Sequence, residues 1–319
     1  DDQRGKNLVG DGEEHQKETL AFMQYSLQEG FDISINLHTG AEVCNYPWDT
    51  WKENERRHPD TEWFISLCQE FVSQVRNAGG NNYFSDVTYS GITNGGDWYK
   101  IYGSRQDWQN WYTKTRELTL EVSATKTPSS NLLPHYWNKL KDGLIGFMHN
   151  SLTGVEGVIK DINSQQTIEN ATIEVENIDY DSLFTYSNHQ GYYFRSLLCG
   201  NYQIKISAQG YNDTLLNINI ENNTTLTQDI YLSPCSTSLS SYENSKEEPF
   251  IFPNPCNDKL FLRVEKFNEY IISNFQRINL LKQRINNSNE IDVSELSKGV
   301  YFLTLYGQDE TRTLIFIKQ

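Results

Sequence analysis

Residues 31–38 read Phe-Asp-Ile-Ser-Ile-Asn-Leu-His, with an apolar side chain at every second position up to the histidine. A two-residue period belongs to a β-strand that turns one face to a core and the other to polar surroundings. Upstream, Leu20, Met23 and Leu27 recur at helical spacing, which predicts a helix over residues 17–27 leading into the strand. Downstream, Trp63, Phe64, Leu67, Phe71 and Val75 share one face of a helix predicted over residues 61–76, and the Asn/Gly stretch at 77–82 ends it. Residues 117–123 alternate again as a strand, and residues 133–148 read as a further helix. Strands and helices that take turns predict an α/β fold for residues 1–150, a mixed sheet with helices against it.

The texture changes after Gly154. Short strands are expected at 157–160, 171–175, 192–194, 202–206 and 227–232, separated by turn residues at the spacing of a β-sandwich. Residues 234–249, rich in Ser, Glu, Asn and Lys, read as a linker. A last module over 250–319 opens on Phe250-Ile-Phe-Pro-Asn-Pro255 and closes on the apolar runs 299–305 and 313–317, so it too is expected to be all-β.

The chain has 42 acidic against 27 basic side chains, a formal net charge of −15, which opposes contact with phosphate backbones and argues against a nucleic-acid partner. No apolar run approaches the roughly 20 residues that a membrane helix requires, so no membrane insertion is expected. Five cysteines (Cys44, Cys68, Cys199, Cys235 and Cys256) contain no C-x-x-C pair. That pattern excludes a cysteine zinc module, and an odd number leaves at least one thiol unpaired. The first residue is Asp1 and no signal peptide is visible; a removed leader and a numbering that starts inside a longer product both account for this.

Two polar residues stand out. His38 ends its strand, where a side chain projects into the crevice in which open α/β sheets bind ligands; a hydrogen-bonded structural histidine is the plainer alternative. Glu121 lies in Leu118-Thr-Leu-Glu-Val122, on the face opposite Leu118 and Leu120. A glutamate in such a strand marks an exposed sheet edge or a working carboxylate.

Three stretches together resemble the zinc carboxypeptidases of the carboxypeptidase N, E and D subfamily. They are Asn36-Leu-His-Thr-Gly-Ala41 with Asn45-Tyr-Pro-Trp-Asp49, then Gly91-Ile-Thr-Asn-Gly-Gly-Asp-Trp-Tyr99, then Gly103-Ser-Arg-Gln-Asp107 leading to Glu117-Leu-Thr-Leu-Glu-Val-Ser123. The resemblance implies a zinc ion with His38 as one ligand, and Glu121 as the general base that takes a proton from the zinc-bound water. It implies further that Tyr99 covers bound substrate, that Asp49 selects basic C-terminal residues, and that Gln106 lines the base of that pocket. The activity implied is hydrolysis of the C-terminal peptide bond of peptides and proteins, releasing Lys or Arg. Thr39 and Ser104-Arg105 depart from the family's usual residues, and Arg105 is a cation expected near a pocket for cations.

The family draws its other two protein ligands from an H-x-x-E motif far upstream. The string His15-Gln-Lys-Glu18 has that form but lies at the start of the helix just before the His38 strand, and it reads as a solvated helix start. The expectation is therefore a C-terminal part of the catalytic domain, inactive by itself. A non-catalytic surface protein that keeps the fold and binds peptide or glycan is the alternative. Residues 154–233 resemble the transthyretin-like sandwich that follows such domains. Residues 250–319, with Phe252-Pro-Asn-Pro255 and Gly299-Val-Tyr-Phe302, resemble a type IX secretion sorting domain. That resemblance implies the type IX secretion machinery as a partner and a secreted or cell-surface location reached through the periplasm.

Overall fold

The computed structural model describes residues 16–235, 250–264, 267–274, 278–285, 289–307 and 311–318. His15 and residues 236–249 of the expected linker lie outside these ranges. The chain divides into two compact units, one built on Gly30–Thr237 and the other on Val9–Glu29 with Ser238–Gln319.

The second unit contains the helix α1 (Lys17–Glu29), in which Met23 is buried. The first unit begins with β1 (Ile33–His38) and β2 (Ala41–Tyr46), followed by α2 (Thr61–Gly79), β3 (Ile92–Asn94), β4 (Arg116–Ser123) and α5 (Leu133–Ser151); two single-turn helices, α3 (Gly95–Trp98) and α4 (Arg105–Trp108), fall between β3 and β4. The four strands lie in the order β1-β4-β2-β3. β4 runs parallel to β1 and antiparallel to β2, so both of its edges are paired.

The alternation in β1 and β4 makes a two-faced sheet. Leu118 and Leu120 of β4, with Ile33 and Ile35 of β1, pack into a core with Phe64, Leu67, Phe71, Val72 and Val75 of α2 and Leu140 and Phe147 of α5. The buried run of α2 follows its i, i+3, i+4 spacing, which is why the sequence could be read as a helix. α2 and α5 meet closely at Gly143, where a Cβ would come to 2.7 Å from Val75 Cγ1. Cys44 of β2 and Cys68 of α2 form a disulfide that ties the strand to the helix. On the opposite face the parallel register pairs Ser34 with Glu117, Asn36 with Thr119 and His38 with Glu121. That face is the polar one.

The rest of the first unit is a two-sheet sandwich. Its strands are β5 (Gly154–Asp161), β6 (Thr172–Val175), β7 (Thr185–Tyr186), β8 (Tyr192–Ser196), β9 (Gly200–Ser207), β10 (Thr214–Ile220), β11 (Thr225–Thr227) and β12 (Ile230–Leu232). One sheet has the order β10-β9-β6-β7; the other has β11-β5-β12, with β8 pairing β5. Val155, Ile159, Ile173, Ile204, Ile206 and Ile218 fill the space between them.

Sandwich and α/β layer are joined by charge. Arg195 of β8 is fully buried; its Nη2 donates to Asp60 Oδ1 at 2.6 Å and also bonds Asp179. Asp60 Oδ2 accepts from Arg116 Nε at 2.9 Å. Burial alone would hinder ionisation of Asp60, but the Arg195 and Arg116 guanidiniums outweigh it and hold the carboxyl well below the usual range. Nearby, Tyr180 donates its hydroxyl to the Arg57 carbonyl at 2.6 Å, and Arg56 pairs with Asp181 at 2.8 Å.

In the second unit, the strands after the linker are β13 (Phe250–Phe252), β14 (Lys259–Arg263), β15 (Phe267–Ser273), β16 (Asn279–Arg284), β17 (Glu290–Asp292), β18 (Gly299–Gly307) and β19 (Thr311–Lys318). They make the sheets β13-β14-β17 and β16-β15-β18-β19 around Leu260, Ile272, Leu303 and Phe316. No helix among the described residues is long and apolar enough to cross a membrane.

Candidate active site

His38 is the last residue of β1, and Glu121 lies opposite it on β4. The imidazole Nδ1 is 2.9 Å from Glu121 Oε1 and 3.0 Å from Oε2, so it sits astride the carboxylate. The two environments differ: the His38 side chain is 60% exposed and that of Glu121 only 8%. Glu121 therefore does not mark a sheet edge. It is an interior carboxylate of a central strand that meets solvent through an open imidazole.

The pocket residues come from three further segments. Asp49 follows β2 and is buried, and its Oδ1 accepts from Asn45 Nδ2 at 3.1 Å and from Gln106 Nε2 at 3.2 Å. Burial raises the Asp49 pKa, and hydrogen bonds from Ser104 and Asn45 oppose that rise. Asn45 Oδ1 and Gln106 Oε1 are buried without a partner among the described residues. Buried amide oxygens are normally satisfied, so two unmet acceptors beside a carboxylate suit a donor arriving from outside. Gly95 passes directly over this cluster, and a Cβ there would overlap Asp49 Oδ1. Tyr99 ends α3 and is half exposed. Burial pushes its phenol upward, and the negative charges of Glu121 and Asp49 add to that, so its ring stands in the field of both carboxylates.

Arg105 does not approach Asp49 as a counter-ion. It is drawn to the fully buried Glu117, with Nη2 2.9 Å and Nε 3.1 Å from Oε2, and Ser34 Oγ donates to the same oxygen at 2.7 Å. Two residues inside the quoted stretches were given no role by the sequence. Asn45 supports Asp49 from four residues away. Asp107, next to Gln106, accepts the backbone N–H of Asp49 at 2.8 Å and that of Thr50 at 3.0 Å.

Glu18 is exposed in the first turn of α1. Among the described residues no group of three His, Cys, Asp or Glu could hold a metal ion. The His38 imidazole, at a strand end, mostly exposed and beside a carboxylate, has the chemistry of a single metal-ligand position.

Comparison with known proteins gives the chain's relatives. Residues 2–143 match the zinc carboxypeptidase family, residues 154–233 the carboxypeptidase regulatory-like domain, and residues 250–319 the secretion system C-terminal sorting domain. Carboxypeptidase D of Mus musculus is 34% identical over 216 residues, which is 64% of this chain and 15% of that protein. Human carboxypeptidase D is 32% identical over 243 residues, 72% of this chain and 17% of that protein. Carboxypeptidase E of Caenorhabditis elegans is 29% identical over 264 residues, 76% of this chain and 55% of that protein. The chain thus spans less than a fifth of the carboxypeptidase D relatives and about half of carboxypeptidase E. Through residues 2–143 it belongs to the zinc carboxypeptidases, and behind that domain it carries a carboxypeptidase regulatory-like domain and a secretion sorting domain.

Proposed function

We propose that the chain contributes the His38–Glu121 half of a metallocarboxypeptidase site that removes C-terminal Lys or Arg from peptides. The observation that carries this reading is the meeting of the His38 Nδ1 with both oxygens of a nearly buried glutamate on adjacent parallel strands. His38 serves as one zinc ligand. Zinc bound there would supply Lewis-acid polarisation of the scissile carbonyl and a more acidic water. Glu121 would take a proton from the attacking water as the water oxygen bonds to the scissile carbonyl carbon, and would return it to the amine nitrogen as the C–N bond breaks, with no net change at the glutamate. Tyr99 closes over the chain end and limits water there.

Asp49 receives the cationic side chain. A Lys or Arg that enters a closed pocket loses its hydration and needs an opposite charge and hydrogen-bond acceptors. Asp49 provides the charge, and the unpartnered oxygens of Asn45 and Gln106 provide acceptors. The Arg105–Glu117 pairing supports this selectivity, because it engages a cation that would otherwise compete. The sorting domain indicates that the protein is secreted or at the cell surface, and we infer that the type IX secretion machinery handles it through residues 250–319.

The test uses the complete natural gene product. Glu121→Gln should lower turnover by about 10²–10⁴-fold while zinc content stays at the wild-type level. Near-normal turnover in that variant would remove Glu121 from the mechanism. Undiminished peptide binding by a wild type that never hydrolyses would favour a binding protein built on the same fold.

A further inference from the structure

Asp107 is fully buried, and its carboxylate carries an electrostatic burden. Burial, with the charge of Asp49 adding to it, pushes this carboxyl up to about 8. Its two oxygens accept from two consecutive backbone amides, those of Asp49 and Thr50. A carboxyl group presents an oxygen acceptor on each side, whether or not it carries a proton; the isosteric amide of asparagine would present a donor to one of the two N–H groups. The other side of the same backbone is held as well, since the Ile101 N–H donates to the Asp49 carbonyl at 3.1 Å and Thr50 Oγ1 donates to the Ile101 carbonyl at 3.2 Å. Asp107 is itself set by the turn it occupies, where Ser104 Oγ caps α4 by accepting the Asp107 N–H at 3.1 Å. Adjacent residues on α4 thus divide the task. Gln106 holds the Asp49 side chain, and Asp107 holds its backbone.

We propose that Asp107 is a positioning residue for substrate selection, bracketing the Asp49–Thr50 backbone so that the Asp49 carboxylate meets a cationic C-terminal side chain in a fixed place. The proposal rests on the reading of Asp49 as the selecting acid and adds the residue that makes its geometry rigid. A pocket charge free to drift by an ångström loses most of its advantage, since preorganisation is what spares a site the cost of ordering on binding. Asp107 touches neither the scissile bond nor the proton that Glu121 moves, so its effect falls on binding of the side chain.

Matched peptides ending in Arg and in Leu separate the possibilities, with the complete gene product as enzyme and kcat and KM measured individually. For Asp107→Asn the Arg-to-Leu ratio of kcat/KM should fall about tenfold or more, the equivalent of roughly 1.4 kcal/mol, chiefly through a raised KM for the Arg peptide. Asp107→Glu, which keeps both acceptor oxygens but sets them one methylene further out, should lower the ratio in the same direction. General structural damage would depress both peptides together and leave the ratio alone. If the wild type prefers Arg, Asp49→Asn abolishes that preference and Asp107→Asn leaves it intact, the Asp107 proposal is overturned while the Asp49 reading stands. If the wild type shows no preference for Arg, the Asp49 reading fails first and takes the proposal with it. Should neither Asp107 variant fold, the bracket is a requirement of folding rather than of selection, and the proposal is likewise overturned.

Discussion

The two ends of β4 carry charge for opposite purposes. At its start, Arg116 lies in a sealed cluster with Asp60, Arg195 and Asp179, where every charge faces an opposite one. Near its end, Glu121 faces a single histidine that is mostly open to solvent. Charges that are enclosed and paired with one another are closed off from solvent, so they join parts of the structure. A carboxylate with one enclosed side and one accessible partner retains a free reaction coordinate. The same strand, five residues apart, provides both because its ends reach different surroundings: the sandwich at one, a mostly exposed histidine at the other.

The contrast can be broken most forcefully at the sealed end. Arg195→Leu leaves Asp179 and half of Asp60 buried without their cation, which should cost about 3–5 kcal/mol of stability. The denaturant midpoint of the purified protein measures this. A loss below about 1 kcal/mol would mean that the cluster is ordinary surface pairing, and the comparison would fail. Reduction of Cys44–Cys68, or the paired change of both to Ser, should cost about 3 kcal/mol for a crosslink across 24 residues. It should be read by thermal unfolding with and without reductant.

Acid titration sharpens the comparison further. The folded state holds the Asp60 carboxyl below its ordinary pKa near 4, so its contribution is complete above that value and is lost as pH falls beneath it. The acid limb of wild-type stability should slope by up to about 1.4 kcal/mol per pH unit from this group, and Asp60→Asn should flatten that part of the limb. The smallest effect belongs to the exposed pairs beside the cluster. Arg57, bonded to Glu53 and Glu62 at the surface, can be changed to Ala at a cost below about 1 kcal/mol. An equal loss from Arg57 and Arg195 would dissolve the distinction between sealed and open charge.

Helices and alternating strands were legible because their periods are local. The helix expected over 61–76 is observed at Thr61–Gly79, and the strand expected over 117–123 at Arg116–Ser123. β2 was not read as a strand: Ala41-Glu-Val-Cys-Asn-Tyr46 is largely buried on both faces, so it shows no alternation. β10 was also passed over, although Leu216, Ile218 and Ile220 do alternate along it. The pairing of His38 with Glu121 spans 83 positions and came into view only through resemblance, since no local pattern brings β1 beside β4. Asp107 and Arg195 were missed for the same physical reason. What distinguishes them is a partner distant in sequence, Asp49 in one case and Asp60 in the other.

The disulfide has a consequence that belongs to the cell and not to the fold alone. The segment it closes, from Cys44 to Cys68, contains both Asp49, the acid proposed to select the substrate, and Asp60, which bonds Arg195 of the sandwich. Such a bond does not persist in a reducing cytosol and forms readily once the chain has left it. A protein carrying a secretion sorting domain would therefore be made with this segment unlocked and locked only after export. Pocket and anchor would then mature together, at the compartment boundary, in a single oxidation.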